Sequence, residues 1–326
     1  MPIDVEPEIE AIVASIKASK KYRDTYEGTI RELARAAASR HKTRKKIEQA
    51  VRERLHHIMA PYVGDPDYDA GEAALKAAFQ SGSPLAVRET CVHVLSAHVS
   101  TRERLPILDR FYGEIFRVTG KPGAILDVAC ALNPLTFPWM GLPATVQYHA
   151  YDIHERRVHF INTYFSLQGL SPLAKVQDVA LHFPQETADV ALFLKELPRF
   201  EQNYGRLGLA LLEALRVRYL VVSFPTVSFH GGRSLADHYR RFFAGLIAGT
   251  GWPVVELEFE SELVFCADKA DSPQRRLFDG KRTGLKETVL GSAPAPPVRR
   301  EAHRPERAGA GKCPSAARST AARQVG

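Results

Sequence analysis

The sequence predicts an α/β protein: a doubly wound, mostly parallel sheet that closes in an antiparallel hairpin, preceded by a helical domain and followed by a polar tail. Three observations lead there. An apolar run, Ala124 to Leu126, ends in Asp127 before small residues, and a second run from Val146 ends in Asp152 about 25 positions later. From residue 106 to about 267, short apolar runs alternate with stretches of helical periodicity. Before residue 106 only helical periodicity is found. Small residues after a first strand let the backbone approach a ligand, and an acid ending the second strand can accept hydrogen bonds from a ribose diol. Such a loop does not by itself choose among the protein classes that use it.

Taken in order, Ile9, Ile12, Val13 and Ile16 fall on one helical face, and Ile30, Leu33, Ala34 and Ala37 repeat the pattern. A third helix is expected at about 43–59, and further helices continue to 105, broken by Pro61, Pro66 and Pro84. The sheet region then reads as helix 106–118, strands 124–128 and 146–151, helix 154–168, strands 174–178 and 188–194, helix 204–216, strand 219–224 and helix 234–249. Strands near 254–259 and 262–267 close it; too few residues separate them for a helical crossover, so they must pair antiparallel. Beyond Lys269 the composition turns to Pro, Ala, Gly, Ser and Arg, and 276–326 reads as a disordered basic tail.

Composition sets outer limits. The 326 residues, 45% hydrophobic, are enough for two domains with a sizeable core. No apolar run is long enough to span a bilayer, and an N-terminus with Asp4, Glu6, Glu8 and Glu10 is too acidic for a signal peptide, so a cytoplasmic protein is expected. Cys91, Cys130, Cys266 and Cys313 lack C-x-x-C spacing, which suggests reduced thiols and no metal. The net charge of +7 is unevenly spread: residues 17–57 carry 13 Lys or Arg against 5 Asp or Glu, and the tail from 291 carries 7 against 2, leaving −6 on the rest. Cations concentrated outside the sheet region point to a separate module for a polyanion, with Lys20, Lys21, Arg23, Arg40, Lys42, Arg44, Lys45 and Lys46 as its candidate contacts.

The stretch Asp127 to Leu135 (DVACALNPL) with Pro138, Trp139 and Met140 resembles the first cofactor motif of the aminoglycoside-resistance 16S ribosomal RNA methyltransferases, the family that methylates guanine N7 in the decoding site. Four more segments agree: Ser100 to Leu105 (STRERL), Leu194 to Pro198 (LKELP), Ser223 to Pro225 with Gly231 to Arg233, and Glu262 to Phe265 (ELVF). The likeness runs from about Lys20 to about Lys269. It implies a Rossmann-like class I fold dependent on S-adenosylmethionine, a basic helical rRNA-binding domain at 1–105, a methyltransferase domain at 106–275, and action as a monomer on 16S rRNA in the 30S subunit. The closing hairpin also fits a methyltransferase better than a dehydrogenase.

The resemblance assigns site residues. Asp152 is expected on the ribose hydroxyls with Ile153 beside the adenine, Asp178 at the adenine edge with Val179 next to it, and Leu194 lining the pocket. Arg104 is expected near the methionine carboxylate, with His98, Val99 and Ser100 around it, because a guanidinium fork matches two carboxylate oxygens. Tyr62 and Gln202 complete the cofactor set, and Tyr62, Trp139 and Phe229 are candidate stacking aromatics. Ala129 and Ala131 stand where this loop commonly has glycines; their methyl groups are tolerated at negative φ and obstruct positive φ. Lys195 and Glu201 are expected to face the base, the lysine near guanine O6 and the carboxylate near N1 and N2. A Lys195 to Glu201 ion pair is the alternative use of the same residues. Two other functions stay open: a noncatalytic ribosome-binding factor, favoured by Ala129, Ala131 and Val179, and an adenine-N1 methyltransferase of the same rRNA region. If the two domains act separately, a 106–275 fragment should bind cofactor without modifying ribosomes.

Overall fold

The computed structural model describes residues 5–59, 65–226 and 235–270. Tyr62, Phe229, the Gly231 to Arg233 segment and the tail fall outside the described residues. The chain opens with three helices, α1 (Val5–Lys17), α2 (Glu27–Ala38) and α3 (Arg44–Met59). They bury their own core, in which Ile12, Ile16, Ile30, Val51 and Leu55 are almost fully enclosed. The apolar stripes read from the sequence are therefore the inward faces of a three-helix unit.

Next come α4 (Tyr68–Gln80), α5 (Pro84–Ala97) and α6 (Val99–Arg104). Asp67 caps α4 by accepting from the backbone N–H of Asp69 and Ala70, and Ser83 caps α5 just before Pro84. These helices do not share the core of α1–α3. Leu75, Val87, Cys91 and Leu95 instead belong to the core beneath the sheet, and Gly71 lets α4 approach the Phe160 ring. Packing thus divides the chain near residue 60, with 65–104 on the side of the sheet.

The α/β region runs α7 (Leu108–Thr119), β1 (Ala124–Val128), β2 (Gln147–Asp152), α8 (Glu155–Gln168), β3 (Ala174–Val176) and β4 (Thr187–Leu194), then α9 (Leu197–Tyr204), α10 (Leu207–Ala214), β5 (Arg216–Pro225), α11 (Ala236–Leu246), β6 (Val254–Glu258) and β7 (Glu262–Asp268). The seven strands lie in the order β3-β2-β1-β4-β5-β7-β6. Strands β1 to β5 pair in parallel, while β7 pairs antiparallel with both β5 and β6, giving the expected closing hairpin. Strand order reverses between β1 and β4, and a crevice opens at their carboxyl ends, the usual place for a ligand in such sheets.

One expected element is corrected. The helix expected at 204–216 is the shorter α10, it is preceded by a separate helix, α9, and β5 begins at Arg216. Pro198 starts α9 early, and Gly205 and Arg206, both at positive φ, break the chain before α10. Among the described residues no helix is long and apolar enough to cross a membrane.

Candidate cofactor and base site

Two adjoining cavities occupy the crevice and share Ala129 and Glu196 in their walls. The larger, about 390 Å³, is walled by His98 to Thr101, Glu103 and Arg104 on one side and by Leu194, Lys195 and Pro198 on the other. The smaller, about 90 Å³, lies toward β2 and β3 and is lined by Asp152, Ile153, Asp178 and Val179, with Ile58, Met59 and Asp65 opposite. Residues before 106 thus form one wall of each cavity. A 106–275 fragment would lack those walls, so the expectation that it binds cofactor by itself is replaced by one in which it does not.

The loop between the cavities turns sharply. Cys130 N–H donates to Tyr151 O at 2.9 Å and Ala131 N–H to Asp152 Oδ2 at 3.1 Å, folding the loop back over the end of β2. This geometry puts Ala129 at φ 52° and Ala131 at φ 46°. Both methyl groups therefore sit in the left-handed region, which costs roughly 1–2 kcal/mol per residue. The surrounding hydrogen bonds hold the turn against that strain.

Asp152 is fixed from several sides. Its Oδ1 accepts from His154 N–H at 2.8 Å, and its Oδ2 also accepts from Arg157 Nη1 at 2.9 Å. Arg157 is buried and reaches on to Asp65 Oδ1 at 2.6 Å and the Tyr68 hydroxyl at 3.2 Å. Burial alone would raise the Asp65 carboxyl; Arg157 and His154 beside it carry it below the ordinary carboxylate range. At β3, Asp178 accepts from the Thr29 hydroxyl at 2.7 Å and from Ala180 N–H at 2.9 Å. Burial nonetheless pushes the Asp178 carboxyl upward.

At the other end the charges meet one another. Arg104 is 2% exposed and pairs with Glu262 through Nε at 2.9 Å and Nη2 at 2.7 Å, while its Nη1 donates to Asn133 Oδ1 at 2.7 Å. The bidentate edge expected for a cofactor carboxylate is thus closed on Glu262, although Arg104 does line the cavity. Asn133 in turn donates to Asp127, which also accepts from Tyr148. Burial raises the Asp127 carboxyl to about 7. His98 lies beside this end with Nδ1 at 3.0 Å from Ser100 Oγ, and burial lowers its imidazole to about 4, leaving it neutral at pH 7.

Lys195 sits at φ 62°, its N–H donating to Ser223 O, with Nζ at 3.0 Å from Glu103 Oε2 and 3.4 Å from Glu262 Oε2. A Lys195 to Glu201 pair does not form. Glu201 Oε1 accepts from Gly208 N–H and caps the start of α10, so this carboxylate lines neither cavity. Gln202 is exposed on α9 and also lines neither. Glu196, which no sequence feature marks as a site residue, is the carboxylate common to both cavities. Trp139 is separate from them, in a shallow groove with Leu105, under the Arg88 guanidinium at 4.6 Å.

The eight candidate RNA-contacting cations are all exposed but fall in two groups. Lys20, Lys21 and Arg23 lie on the α1–α2 turn, where Tyr26 N–H donates to Ile153 O at 2.7 Å, beside the smaller cavity. Lys21 Nζ is 3.0 Å from His56 Nδ1 near the end of α3. Arg40, Lys42, Arg44, Lys45 and Lys46 lie at the opposite end, one helix length or about 24 Å away at 1.5 Å per residue. Arg44 donates to Ala11 O. Lys42, Lys45 and Lys46 make no ion pair among the described residues.

Residues 18–266 match the family model described as ribosomal RNA methyltransferase (FmrO). The chain belongs to this family. A relative from Frankia casuarinae, named 16S rRNA (guanine(1405)-N(7))-methyltransferase, is 37% identical over 216 residues, covering 65% of this chain and 76% of its own. The solved 16S rRNA methylase RmtB is 32% identical with a TM-score of 0.67, over 80% of this chain and 98% of that one. RmtF, a 16S rRNA methyltransferase solved in complex with S-adenosyl-L-homocysteine, is 28% identical with a TM-score of 0.70, again over 80% and 98%. The fold is that of the class I S-adenosylmethionine-dependent methyltransferases.

Proposed function

We propose that this FmrO-family enzyme methylates N7 of a decoding-site guanine of 16S rRNA, the position its relatives' names give as 1405, within the 30S subunit, and thereby confers aminoglycoside resistance. S-adenosylmethionine supplies an electrophilic methyl group. The observation that carries the reading is the continuous crevice: strand-end acids Asp152 and Asp178 suit an adenosine at one end, and the larger cavity leads past Ala129 and Ala131 to Lys195 at the other. The residues fit the group. Asp152 keeps acceptor capacity for ribose hydroxyls after its three donors are counted, and the backbone of 129–131 can approach a ligand closely.

Guanine N7 has no proton to remove, so no general base is needed. Lys195, ion-paired with Glu103 and Glu262, is suited to donate to guanine O6, and Glu196, which lines both cavities, takes the role of accepting from the opposite edge in place of Glu201. The enzyme's task is alignment and tolerance of the cationic product. To reach the cavity the nucleotide must leave its helix, at a cost of a few kcal/mol. Within 1–105, the three-helix unit at 5–59 offsets this by holding neighbouring phosphates with its two cation groups. The protein acts as a soluble cytoplasmic monomer. The alanines that favour a factor without cofactor affinity occupy the left-handed turn, so their methyl groups do not prevent it.

Incubation of purified 30S subunits with the protein and S-adenosylmethionine, followed by nucleoside mass spectrometry, tests the reading. N7-methylguanosine at close to one per subunit is expected. N1-methyladenosine would replace the base assignment, and no new methylated nucleoside would overturn the proposal.

A further inference from the structure

Thr29 is a buried polar residue that its own helix does not use. It stands in the first turn of α2, 2% exposed, and among the described residues its hydroxyl bonds only Asp178, 149 positions away. Tyr26, the residue before α2, makes no side-chain cap, so the hydroxyl is not part of a capping arrangement either.

The segment that carries Thr29 is clamped. Tyr26 N–H donates to Ile153 O, Glu155 N–H donates to Asp24 O at 2.7 Å, and Thr25 forms an antiparallel bridge with His154. These contacts bind the first turn of α2 to the loop that follows β2. Thr29 is therefore held against the wall of the smaller cavity, and its β-branched side chain has few rotamers to choose from.

On Asp178, the Thr29 hydroxyl takes Oδ2 and Ala180 N–H takes Oδ1, with Leu181 N–H as a further backbone donor to the carboxylate, so Thr29 is its one side-chain donor among these. Donors from both sides define the carboxylate plane and still leave acceptor capacity for a ligand. We propose that Thr29 is a positioning residue for adenine recognition: by fixing the Asp178 carboxylate it aims an acceptor at the cofactor's exocyclic amine. This rests on the reading of Asp178 as the adenine-edge acceptor. It makes the rRNA-gripping unit a contributor to cofactor selectivity as well as to RNA affinity.

The test uses the full chain and two ligands that differ only at the base edge. S-adenosylhomocysteine presents an amine there, whereas S-inosylhomocysteine presents an oxo group that a carboxylate repels. Calorimetric titration of the unaltered protein should show a preference of at least about 100-fold for the adenosyl compound. In Thr29→Val the preference should fall about ten-fold, the size expected for one lost hydrogen bond to a charged group. Thr29→Ser should restore it. Thr29→Ala supplies the same comparison if the valine variant does not fold.

Equal loss of affinity for both ligands, with the preference intact, would mean that Thr29 only supports the structure, and the proposal would be overturned. A lack of preference in the unaltered protein would instead remove Asp178 from adenine recognition, whatever Thr29 does.

Discussion

The two ends of the crevice are built on different principles. At the Asp152 end, acids at strand ends are held by backbone N–H groups and by single side-chain donors, which leave acceptor capacity for a ligand. At the Lys195 end, Arg104, Glu262, Lys195 and Glu103 largely neutralise one another. The first end is equipped to bind. The second is equipped to hold charged side chains still, Lys195 among them. Burial would raise the Glu262 carboxyl, but Arg104 and Lys195 keep it below the ordinary range, so this acid is the fixed anion about which both cations are arranged.

The largest effect should come from the anion. Glu262→Gln leaves Arg104 buried without its charge partner, and urea unfolding should show a loss of about 3–5 kcal/mol. A loss under about 1 kcal/mol would mean that the pair is not structurally important. Next is Asp152→Ala, expected to weaken S-adenosylmethionine binding by at least about 100-fold in calorimetry, equivalent to about 2.7 kcal/mol. Affinity retained within about threefold would contradict the ribose assignment and erase the contrast between the ends.

Smaller changes sharpen the picture. Neutralising Lys42, Lys45 and Lys46 together should flatten the salt dependence of 30S binding by up to about 3 in the log-log slope while leaving cofactor affinity unchanged. Cofactor affinity that fell in parallel would show that the far end of the three-helix unit is coupled to the crevice. The smallest expected effect is a gain. Ala129→Gly relieves a methyl at positive φ and should stabilise the fold by about 1 kcal/mol in thermal unfolding. A destabilised glycine variant would mean that the methyl group's packing outweighs its backbone strain.

The same contrast explains what could be read from the sequence. β1 was legible residue for residue, because an apolar run bounded by Gly123 and by small residues has local limits. Asp152 was legible for the same reason, as an acid closing such a run, whereas Asp178, two residues beyond the end of β3, was reached only through the resemblance. The Arg104 to Glu262 pair joins residues 158 positions apart, and no local pattern announces it. Lys195, which the resemblance pointed to, lines the larger cavity, but its partners come from α6 and β7. Glu201 and Glu196 are both acids within seven residues of Lys195, and only the break at Gly205 and Arg206, which turns α10 back onto Glu201, decides which one faces inward. The strain at Ala129 and Ala131 was hidden too, since alanine rarely adopts positive φ and only the folded turn imposes it.

The position of the modification is the most direct test of the whole. 16S rRNA from 30S subunits treated with the protein and S-adenosylmethionine is reduced with borohydride, cleaved with aniline and mapped by primer extension. One strong cleavage at the guanine equivalent to 1405 in the relatives' names is expected. Cleavage at another guanine, or none above the untreated control, would contradict it.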